Sequence, residues 1–402
     1  MHILLIHQAF AALDEPGGTR HHEMALYLSE LGHRLTVITS PISYLTGITS
    51  ARPADSLVGE TKILRVFTYS GLHRSFIHRV ISFLSFMASS FYVGLKVSHV
   101  DLVWGTSPPI FQGFTAWLLA RLKGVPFLFE VRDLWPAFAI AIGVLRNPLL
   151  IRLSEWLESF LYRHADVVLV NSPGFISLVR SKGARQVELV PNGADPRMFD
   201  PQASGSMFRQ ANDLTDKFIA LYAGAHGLSN DLEVVLEAAN LLHGQPEIAV
   251  VLLGDGKEKP ALVNRAAQFG LDNLYFMSPL PKLEMNHALA AADACIAILK
   301  PLPLYATVFP NKVFDYMAAG RPVILAIDGP IRQVVEGAGA GLFVPPGDPI
   351  ALADAIRRMA TNLEESRLMG RRGRQCIEAQ FDRAILSSQL ARLLESMTRK
   401  DK

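Results

Sequence analysis

Lys312 and Asp315 lie close together in the sequence and could bind two different parts of one ligand. If a helix begins here, the backbone amides of Asn311, Lys312 and Val313 lack intrahelical acceptors and favour a bound anion. The Lys312 ammonium adds a positive charge beside them, and the Asp315 carboxylate can accept hydrogen bonds from two neighbouring hydroxyl groups. A diphosphate joined to a ribose has this pattern of groups. A capped surface helix with a solvated lysine is the alternative, and it would bind nothing.

These residues belong to the stretch FPNKVFDYMAAGRPVI, residues 309–324, which reads as a short helix followed by a strand. Pro310 is typical of a helix start, and Gly320 is typical of a helix end. Apolar residues between them fall on one helical face, and Pro322 opens an apolar run that suits a buried strand. The sequence therefore predicts a helix that leads directly into a strand.

The same stretch resembles the nucleotide-sugar signature of the retaining GT-B glycosyltransferases, in particular glycosyltransferase family 4. Members of that family have two spaced glutamates before AMA-x-G-x-PV. Asp315 stands at the second, which binds the nucleotide ribose, and Thr307 stands at the first, which contacts the donor sugar. The variant PNKVFDYMAAGRPVI is most similar to the branch that builds bacterial surface polysaccharides such as O-antigen and capsule, including L-fucosamine transferases. The resemblance implies an α/β chain of the GT-B fold, with two Rossmann-like doubly wound domains facing a cleft.

The segment ELVPNGADPRMFDP, residues 188–201, is dense in proline, glycine, asparagine and aspartate, which is typical of a linker. It also resembles the family signature PNG-x-D-x-x-x-F-x-P, which lies at the interdomain hinge. We therefore expect an acceptor domain over residues 1–190 and a nucleotide-sugar donor domain over 191–380. By the same resemblance, the amphipathic helix of residues 381–402 is expected to cross back to the first domain.

The N-terminal segment reads as strand, glycine-containing loop, helix and strand, the repeating unit of a doubly wound parallel sheet. In its loop, Gly17 and Gly18 allow a ligand to approach the backbone, and Thr19 could cap the helix. A plain tight turn explains the loop about as well, but the family places it against donor phosphates and acceptor. Arg20 and His21 are therefore candidate acceptor-binding residues. The adjacent histidines point in different directions on a helix, which argues against a metal site.

Two further strands end in polar residues, in VDLVWGTSPP and in PFLFEVRDLWP. Strand ends at the carboxyl edge of such sheets line the ligand crevice, so Thr106, Arg132 and Asp133 are site candidates. Family members often have a histidine followed by an aspartate at this RD position; here Arg132 replaces the histidine and Asp133 is retained. The two residues either form an ion pair that holds the loop or act in catalysis by orienting the acceptor. Trp135 is expected to form an apolar lip of the acceptor site.

The second half repeats the strand and helix alternation, and the loop after its first strand reads GAHGLSND. Family members have an arginine and a lysine in this loop that grip the diphosphate. Here His226 and Asn230 stand in their place, so His226 is a candidate catalytic residue and glycine amides must help to hold the phosphates. The loops GDGK and SPLPK resemble those that bracket ribose and base, although such loops are more often structural. The resulting donor-binding candidates are Gly224, Gly227, Gly254, Lys257 and Leu280.

Composition narrows the class of protein. The 402 residues suggest two domains, and the net charge of +2 argues against a nucleic-acid-binding protein. The two cysteines, Cys295 and Cys376, predict neither a disulfide framework nor a metal cluster, and a reducing cytosol fits them. The N-terminus lacks the basic start and cleavage site of a signal peptide and reads as a strand. We therefore expect a cytoplasmic protein.

The stretch from Val80 to Leu95 contains no charged residue but is slightly too short for a bilayer span. Its serines have helical spacing and form a faint polar stripe. A buried helix of the first domain and a surface helix that dips into a membrane interface are about equally good interpretations. A basic cluster lies just upstream and favours association with the inner face of the cytoplasmic membrane; its members are Arg65, His73, Arg74, His78 and Arg79.

The resemblance implies a retaining glycosyltransferase that moves a sugar from a UDP-sugar to a lipid-linked or glycan acceptor, without a metal cofactor. The leaving phosphate would help to remove the acceptor proton, and because Thr307 replaces a carboxylate, a deoxy or N-acetylated sugar is expected. A Rossmann dehydrogenase is excluded because G-x-G-x-x-G and the acid after the second strand are missing. A catalytically inactive sugar-nucleotide-binding or scaffold protein of the same fold remains the alternative, since Thr307, His226 and Asn230 depart from the family pattern.

Overall fold

A computed structural model describes residues 1–43, 45–49, 52–71 and 74–399 of the chain. Contacts divide the chain into two compact units. Unit 1 comprises Met1–Ala12, Gly17–Pro191 and Ala384–Lys402, and unit 2 comprises Leu13–Pro16 and Asn192–Arg383. The short piece Leu13–Pro16 was expected in the first domain but groups with unit 2, where the Leu283 amide donates to the Leu13 carbonyl at 3.2 Å.

Unit 1 is built on an eight-stranded sheet in the order β3-β4-β2-β1-β5-β6-β7-β8. All neighbouring strands are parallel except β3 and β4. The central strands are buried along their whole length and mostly apolar, because helices cover both faces of such a sheet. The strands are β1 (His2–Ile6), β2 (Arg34–Thr39), β3 (Asp55–Val58), β4 (Thr61–Arg65), β5 (Leu102–Ser107), β6 (Phe127–Val131), β7 (Val167–Val170) and β8 (Val187–Leu189).

The helices of unit 1 include one from the far end of the chain. Leu386, Leu390 and Leu394 of this last helix are buried in one core with Ile3 and Leu5 of β1, as its amphipathic pattern suggested. The helices are α1 (Arg20–Glu30), α2 (Phe76–Lys96), α3 (Phe111–Lys123), α4 (Ala137–Ala141), α5 (Pro148–His164), α6 (Ile176–Ser181) and, after those of unit 2, α15 (Arg383–Arg399), whose first residue belongs to unit 2.

Unit 2 contains a six-stranded parallel sheet in the order β11-β10-β9-β12-β13-β14. Its strands are β9 (Phe218–Ala223), β10 (Ile248–Leu253), β11 (Leu274–Met277), β12 (Ala294–Ile298), β13 (Val323–Ala326) and β14 (Gly341–Phe343). Its helices are α7 (Ser206–Ala211), α8 (Leu232–Leu241), α9 (Lys259–Gln268), α10 (Met285–Ala291), α11 (Asn311–Ala318), α12 (Pro330–Gly337), α13 (Pro349–Thr361) and α14 (Leu363–Cys376). The predicted pair of doubly wound α/β units is confirmed.

Strand order locates the crevice of each sheet. In unit 1 the chain runs to opposite sides of the sheet from β1 and β5, and in unit 2 from β9 and β12. Ligands of doubly wound sheets bind outside the carboxyl ends of the strands at this kind of reversal. The loop after β9 and the residues after β1, β5 and β6 are therefore the places to look for chemistry.

Helix α2 contains the uncharged stretch, and it is neither wholly buried nor wholly exposed. Phe83 and Phe86 are buried, whereas Ile77, Ile81 and Tyr92 are exposed. The serines of the polar stripe are buried or half-buried. Their hydroxyls bond the preceding loop, because Ser85 Oγ accepts from the Tyr69 amide at 2.9 Å and Ser89 Oγ donates to the Phe67 carbonyl at 2.6 Å. His73 of the predicted basic cluster lies outside the described residues. No helix within the described ranges is long and apolar enough to cross a membrane.

Candidate functional site

The helix start that was predicted to bind an anion is present at α11. The helix begins at Asn311, after Pro310, without a side-chain cap. The Val313 amide was expected to be free but donates to the Pro310 carbonyl at 3.2 Å, because the first turn is tight enough for this bond. In the part of the chain that the structure describes, the amides of Asn311 and Lys312 have no acceptor. Two amides, rather than three, are available to an anion here.

The side chain of Lys312 ends in an apolar enclosure. Its Nζ atom is buried, lies 3.8 Å from the centre of the Tyr222 ring and has no hydrogen-bond partner among the described residues. Burial lowers the pKa of Lys312 from 10.5 to about 7. A Cβ atom at Gly224 would stand 2.6 Å from Nζ, so the lysine requires glycine at that position. An unpaired buried ammonium is unfavourable, and an anionic ligand would remove the penalty.

His226, two residues beyond Gly224, is fully buried. Neither ring nitrogen has a hydrogen-bond partner within the described ranges. Burial is the main reason that its pKa falls to about 4, with a further contribution from Lys259, so the ring is neutral near pH 7. Its backbone is held on both sides, because its amide donates to Asp255 at 2.8 Å and its carbonyl accepts from Glu258 at 2.9 Å. The ring can thus offer a ligand one N–H donor without a charge.

Glycines allow the two loops of unit 2 to approach each other around His226. Gly224 and Gly254 have φ angles of +151° and +149°, which L side chains rarely adopt. A Cβ at Gly254 would collide with the Gly224 carbonyl and would stand 3.3 Å from His226 Nε2. Lys259 fixes the second loop by donating to the carbonyls of Gly254 and Met277 at 2.8 and 2.9 Å. The structure therefore brings Gly224, His226, Gly254 and Lys312 together.

Asp315, predicted to bind a ribose, already has polar neighbours. Its Oδ1 lies 2.6 Å from Lys282 Nζ, and its Oδ2 accepts a hydrogen bond from Asn311 Nδ2 at 3.2 Å. Lys282 is buried, and its Nζ also lies 5.1 Å from the Phe199 ring centre. Two carboxylate oxygens offer about four acceptor positions, so hydroxyl groups can still bind. Sequence patterns did not identify Lys282 as the partner of this carboxylate, although it lies in the SPLPK loop that resembles those near ribose and base.

The remaining donor-site candidates are less closely tied to this cluster. Thr307 ends a 3₁₀ turn, Pro303–Thr307, and its hydroxyl donates to the Leu304 carbonyl at 2.6 Å. Gly227 accepts a bond from the Asn230 amide at 3.0 Å, which shapes the turn after His226. Lys257 is exposed and Leu280 is half-buried. Lys259, rather than Lys257, is the lysine that contacts Gly254.

In unit 1, a buried carboxylate that the sequence reading missed organises the site residues. Glu130 in β6 is fully buried, with Arg20 Nε 3.2 Å from Oε1 and His21 Nε2 2.6 Å from Oε2. Arg20 also donates to the carbonyls of Val190 and Pro191, each at 2.8 Å. Both residues were expected to bind an acceptor, but they are buried and committed to these contacts. A charged residue inside the apolar run of a strand was the available signal for Glu130.

The charges in this network compensate one another. Burial alone would raise the pKa of Glu130, but the neighbouring His21, Arg20 and Arg132 lower it to about 2. Burial lowers the pKa of His21. Arg20 stays protonated in any case, so it supplies the counter-charge and the Glu130–His21 contact persists with a neutral imidazole. The network is therefore a closed ionic cluster.

Thr106, at the end of β5, is also buried and is not open to an acceptor as predicted. Its Oγ1 lies 3.1 Å from His7 Nδ1 and accepts from Gln112 Nε2 at 2.9 Å. The His7 ring in turn contacts the His21 ring in a tilted arrangement, with ring centres 4.3 Å apart. These contacts join the residues after β1, β5 and β6 into one polar core.

Arg132 and Asp133 follow β6, and of the two only Asp133 is exposed. The Arg132 guanidinium donates to the carbonyls of Ser107 and Pro108, at 3.2 and 2.8 Å. This arginine therefore holds the loop after β5 through main-chain oxygens. The Asp133 side chain is accessible, and half-buried Trp135 lies tilted against Phe111 with ring centres 6.2 Å apart.

The glycine loop before α1 retains its open geometry. Gly17 and Gly18 are exposed, and Gly17 has a φ of +150°. Thr19 is the first residue before the helix, but its side chain does not cap the backbone as expected. It donates instead to Glu23 Oε1 at 2.6 Å, since this carboxylate lies one turn ahead. No group of three or more metal-ligating side chains occurs within the residues described.

Family models match most of the chain in two parts. A model described as "Glycosyl transferase 4-like domain" matches residues 17–193, and one described as "Glycosyl transferases group 1" matches residues 217–362. The first match covers most of unit 1, and the second covers the sheet of unit 2 with the cluster around Lys312. The glycosyltransferase part of the resemblance seen in the sequence is therefore confirmed.

Individual proteins agree with this assignment. The chain is 27% identical over 353 residues to the putative colanic acid biosynthesis glycosyl transferase WcaI of Escherichia coli (strain K12), covering 84% of this chain and 86% of that protein. Sucrose-phosphate synthase from Thermosynechococcus elongatus superimposes with a TM-score of 0.81 at 20% identity over 99% of both chains. HepE of Anabaena, in complex with UDP-glucose, gives a TM-score of 0.75 at 16% identity over 98% of this chain and 100% of that one.

Proposed function

The chain is a glycosyltransferase of the GT-B fold, and on this premise we propose that it is a retaining enzyme that uses a UDP-sugar. Its acceptor is a lipid-linked or glycan molecule in the assembly of a bacterial surface polysaccharide. WcaI, which carries colanic acid biosynthesis in its name, and HepE, crystallised with UDP-glucose, support this choice of pathway and donor. The polysaccharide branch that includes L-fucosamine transferases is the one we favour from the PNKVFDYMAAGRPVI motif.

One observation carries the proposal: the buried ammonium of Lys312 lacks a counterion within the described chain. The free amides of Asn311 and Lys312 open at the same helix start, where the helix dipole favours negative charge. The diphosphate of a sugar nucleotide supplies the missing charge. His226 adds an uncharged N–H donor, which takes the place of one cation found in related enzymes.

The ribose is assigned to Asp315. Asn311 and Lys282 each hold one oxygen of this carboxylate, which fixes its orientation. The two oxygens of a carboxylate match two adjacent ribose hydroxyls. Gly17, Gly18, Gly254, Lys257 and Leu280 stay assigned to the donor by resemblance, as do Asp133 and Trp135 to the acceptor.

The transfer follows from these positions. The bond between the anomeric carbon and the diphosphate oxygen breaks, and the acceptor oxygen bonds to the same face of that carbon. The acceptor proton passes to the departing phosphate oxygen, so that no side chain needs to form a covalent intermediate. Lys312 and His226 stabilise the negative charge that develops on the leaving group, and such preorganised donors contribute a large part of catalysis.

The transferred sugar is proposed to be deoxygenated or N-acetylated. Thr307 offers a neutral oxygen where related enzymes have a carboxylate, and its own hydrogen is already donated to Leu304. A neutral acceptor binds sugar hydroxyls more weakly than an ionised one does. The nearby side chains of Tyr305, Val308 and Phe309 are buried, and Phe309 packs on Phe314. The preference therefore rests on Thr307.

Unit 1 is proposed to bind the inner face of the cytoplasmic membrane through a layer of three helices. Helix α3 packs between α2 and α5. Tyr92 of α2 is 61% exposed and lies under Lys96, and Trp156 of α5 is 58% exposed beside Arg152. Apolar side chains flanked by cations bind anionic lipid surfaces. Vesicles of anionic lipid should sediment the protein at low salt and release it at high salt; sedimentation equal to that with neutral vesicles would disprove the attachment.

A second candidate function is binding of a sugar nucleotide without transfer, within the same fold. The replacement of a donor-site carboxylate by Thr307 and of a cation by neutral His226 favours it. The two candidates predict the same nucleotide affinity and different turnover.

A donor panel distinguishes them. UDP affinity is measured by calorimetry, and hydrolysis of UDP-glucose, UDP-N-acetylhexosamines and deoxy derivatives is followed by release of UDP. Turnover of a deoxy or N-acetylated donor supports the enzyme. Binding without turnover in the presence of lipid acceptors favours the second candidate. A preference for UDP-glucose of about tenfold or more in kcat/KM, equivalent to about 1.4 kcal/mol, would contradict the proposed donor.

A further inference from the structure

The chain enters and leaves unit 2 at two segments that pair with each other. The Ala194 amide donates to the Phe381 carbonyl at 3.1 Å, and the Arg383 amide donates to the Ala194 carbonyl at 2.8 Å. Together they form a parallel bridge between Ala194 and Asp382. We call residues 192–195 and 381–383 the passage segments, because unit 1 precedes the first and follows the second.

Both passage segments reach the start of α11 through side chains. Asn192 Nδ2 donates to the Phe309 carbonyl at 2.6 Å. Arg383, whose side chain is fully buried, donates from one guanidinium nitrogen to the Gly193 carbonyl and to Asn311 Oδ1, the latter at 3.2 Å. One nitrogen of the planar guanidinium fork thus presents its N–H groups to both acceptors in a fixed geometry. The first residue of α11 is thereby held from the passage segments.

The Asn311 amide transmits this constraint to Asp315. Arginine has only donors and an ionised aspartate has only acceptors, so one orientation of the amide satisfies both neighbours. Its oxygen must face Arg383 and its nitrogen must face Asp315 Oδ2, 3.2 Å away. The result is one chain of hydrogen bonds from Gly193 through Arg383 and Asn311 to the carboxylate.

We propose that Arg383 is a positioning residue that sets the Asn311 amide and the Asp315 carboxylate for the donor nucleotide and couples the occupied site to the passage segments. This inference rests on the proposed nucleotide site. Arg383 itself does not touch the nucleotide. When the ribose binds Asp315, the hydrogen-bond chain gains order, and the pairing of Ala194 with residues 381–383 opens less often. Coupling of this kind is reciprocal, so loosening the passage segments weakens nucleotide binding.

Hydrogen exchange with UDP as the probe tests the coupling. In the wild-type protein, saturating UDP should slow amide exchange in peptides that contain Ala194 and Arg383. In Arg383→Lys, which keeps the charge but not the fork, we expect UDP to bind about tenfold more weakly and the protection of these peptides to be lost even when the site is saturated. Arg357→Lys is the matched control, because Arg357 is a half-buried arginine of the same unit that bonds Asp354 and the Leu241 carbonyl, away from the nucleotide cluster.

A double-mutant cycle separates positioning from a general loss of structure. Asn311→Ala breaks the same series of hydrogen bonds on the Asp315 side. This variant replaces Arg383→Lys in the test if Arg383→Lys fails to fold. The double variant should bind UDP no more weakly than the worse single variant, and uridine affinity should fall with UDP affinity because the affected contact is to the ribose. Additive losses, or unchanged exchange at Ala194 with UDP bound, would overturn the coupling. Absence of UDP binding to the wild-type protein would instead refute the proposed function itself.

Discussion

Both units have a polar cluster at the carboxyl ends of their strands, but the two clusters differ in whether their charges are compensated. In unit 1, the Glu130 carboxylate lies between Arg20 and His21, so its charge is compensated within the protein, although His21 Nδ1 is buried without a hydrogen-bond partner in the described chain. In unit 2, the Lys312 ammonium and both nitrogens of His226 are buried without partners in the described chain. A buried charge that is paired with a counterion on the protein stabilises the fold. A buried charge without a counterion favours the binding of a ligand of opposite charge.

The comparison also explains why residue type alone did not reveal the buried pairing of the first cluster. Arginine and histidine beside a glycine loop are typical of a ligand site, and the sequence of unit 1 has them. Their partner, Glu130, is far away in the sequence and was read only as part of an apolar strand. The site in unit 2 is composed mainly of main-chain features and neighbours within two loops, which sequence patterns describe better.

The largest expected effect is on the stability of unit 1. Glu130→Gln removes the counterion of buried Arg20, and breaking a buried pair in this way costs about 3–5 kcal/mol in the free energy of unfolding. Urea denaturation measures it. Glu155→Gln, an exposed carboxylate on α5, is the control and should change the free energy of unfolding by less than about 0.5 kcal/mol. Equal, small losses in both variants would mean that the cluster in unit 1 is not a closed ionic network.

The next effect is on ligand binding in unit 2. Lys312→Met removes the ammonium and should weaken UDP by about 1.5–3 kcal/mol, the value of a charge-assisted contact. The free energy of unfolding should not decrease, because the unpaired buried charge is removed with it. Calorimetry with UDP and uridine isolates the phosphate contribution, since uridine affinity should stay constant. Lys217→Met is the control, because Lys217 directly precedes β9, bonds the Pro246 carbonyl at 2.8 Å and belongs to none of the assigned sites; a comparable loss there would refute the assignment.

A pH series tests the same lysine without mutation. The pKa of Lys312 in the empty folded protein is about 7, below its ordinary 10.5, so between these values the folded state binds fewer protons than the unfolded chain. The free energy of unfolding therefore rises with pH in this window. UDP favours the charged form, so its binding takes up a proton and its affinity falls above about pH 7, by at most about tenfold per pH unit.

Calorimetry in two buffers with different ionisation enthalpies measures this proton uptake. In Lys312→Arg the charge persists over the whole range, and the fall in affinity above neutrality should vanish. His226 and Lys259 lie close enough to influence the titration, and His226 is already neutral because its pKa is about 4. A pH dependence that survives in Lys312→Arg would therefore assign the proton to another group.

The sequence was sufficient for the parts of the molecule that follow from local periodicity and turn chemistry. Alternating apolar strands and helices predicted both doubly wound units, and Pro310 with Gly320 bounded α11 closely. The contacts of Lys312 with Tyr222 and of Asp315 with Lys282 join residues from separate loops. Such pairs depend on the order of the strands in the sheet. The sequence of one segment does not reveal that order. The same limit hid Arg383, since its partners Gly193 and Asn311 lie in other parts of the chain.

The smallest expected effect comes from removing a single hydroxyl group of the unit 1 cluster, and it tests the difference between the two clusters. Thr106→Val keeps the shape of the side chain but removes the oxygen that lies 3.1 Å from His7 and accepts from Gln112. Gln112 keeps its bond to the Thr106 carbonyl at 2.8 Å, so only His7 loses a partner. The expected cost is about 1 kcal/mol in the free energy of unfolding, measured by urea denaturation.

UDP affinity should not change in this variant, because the unit 1 cluster serves the fold and not the nucleotide. Lys312→Met should lower UDP affinity without lowering the free energy of unfolding. Thr106→Val should do the opposite, lowering the free energy of unfolding without changing UDP affinity. If Thr106→Val instead left stability unchanged and reduced transfer to the acceptor, the hydroxyl would belong to the acceptor site. The division between a compensated structural cluster and an open ligand cluster would then fail at the residue where the structure makes it most directly testable.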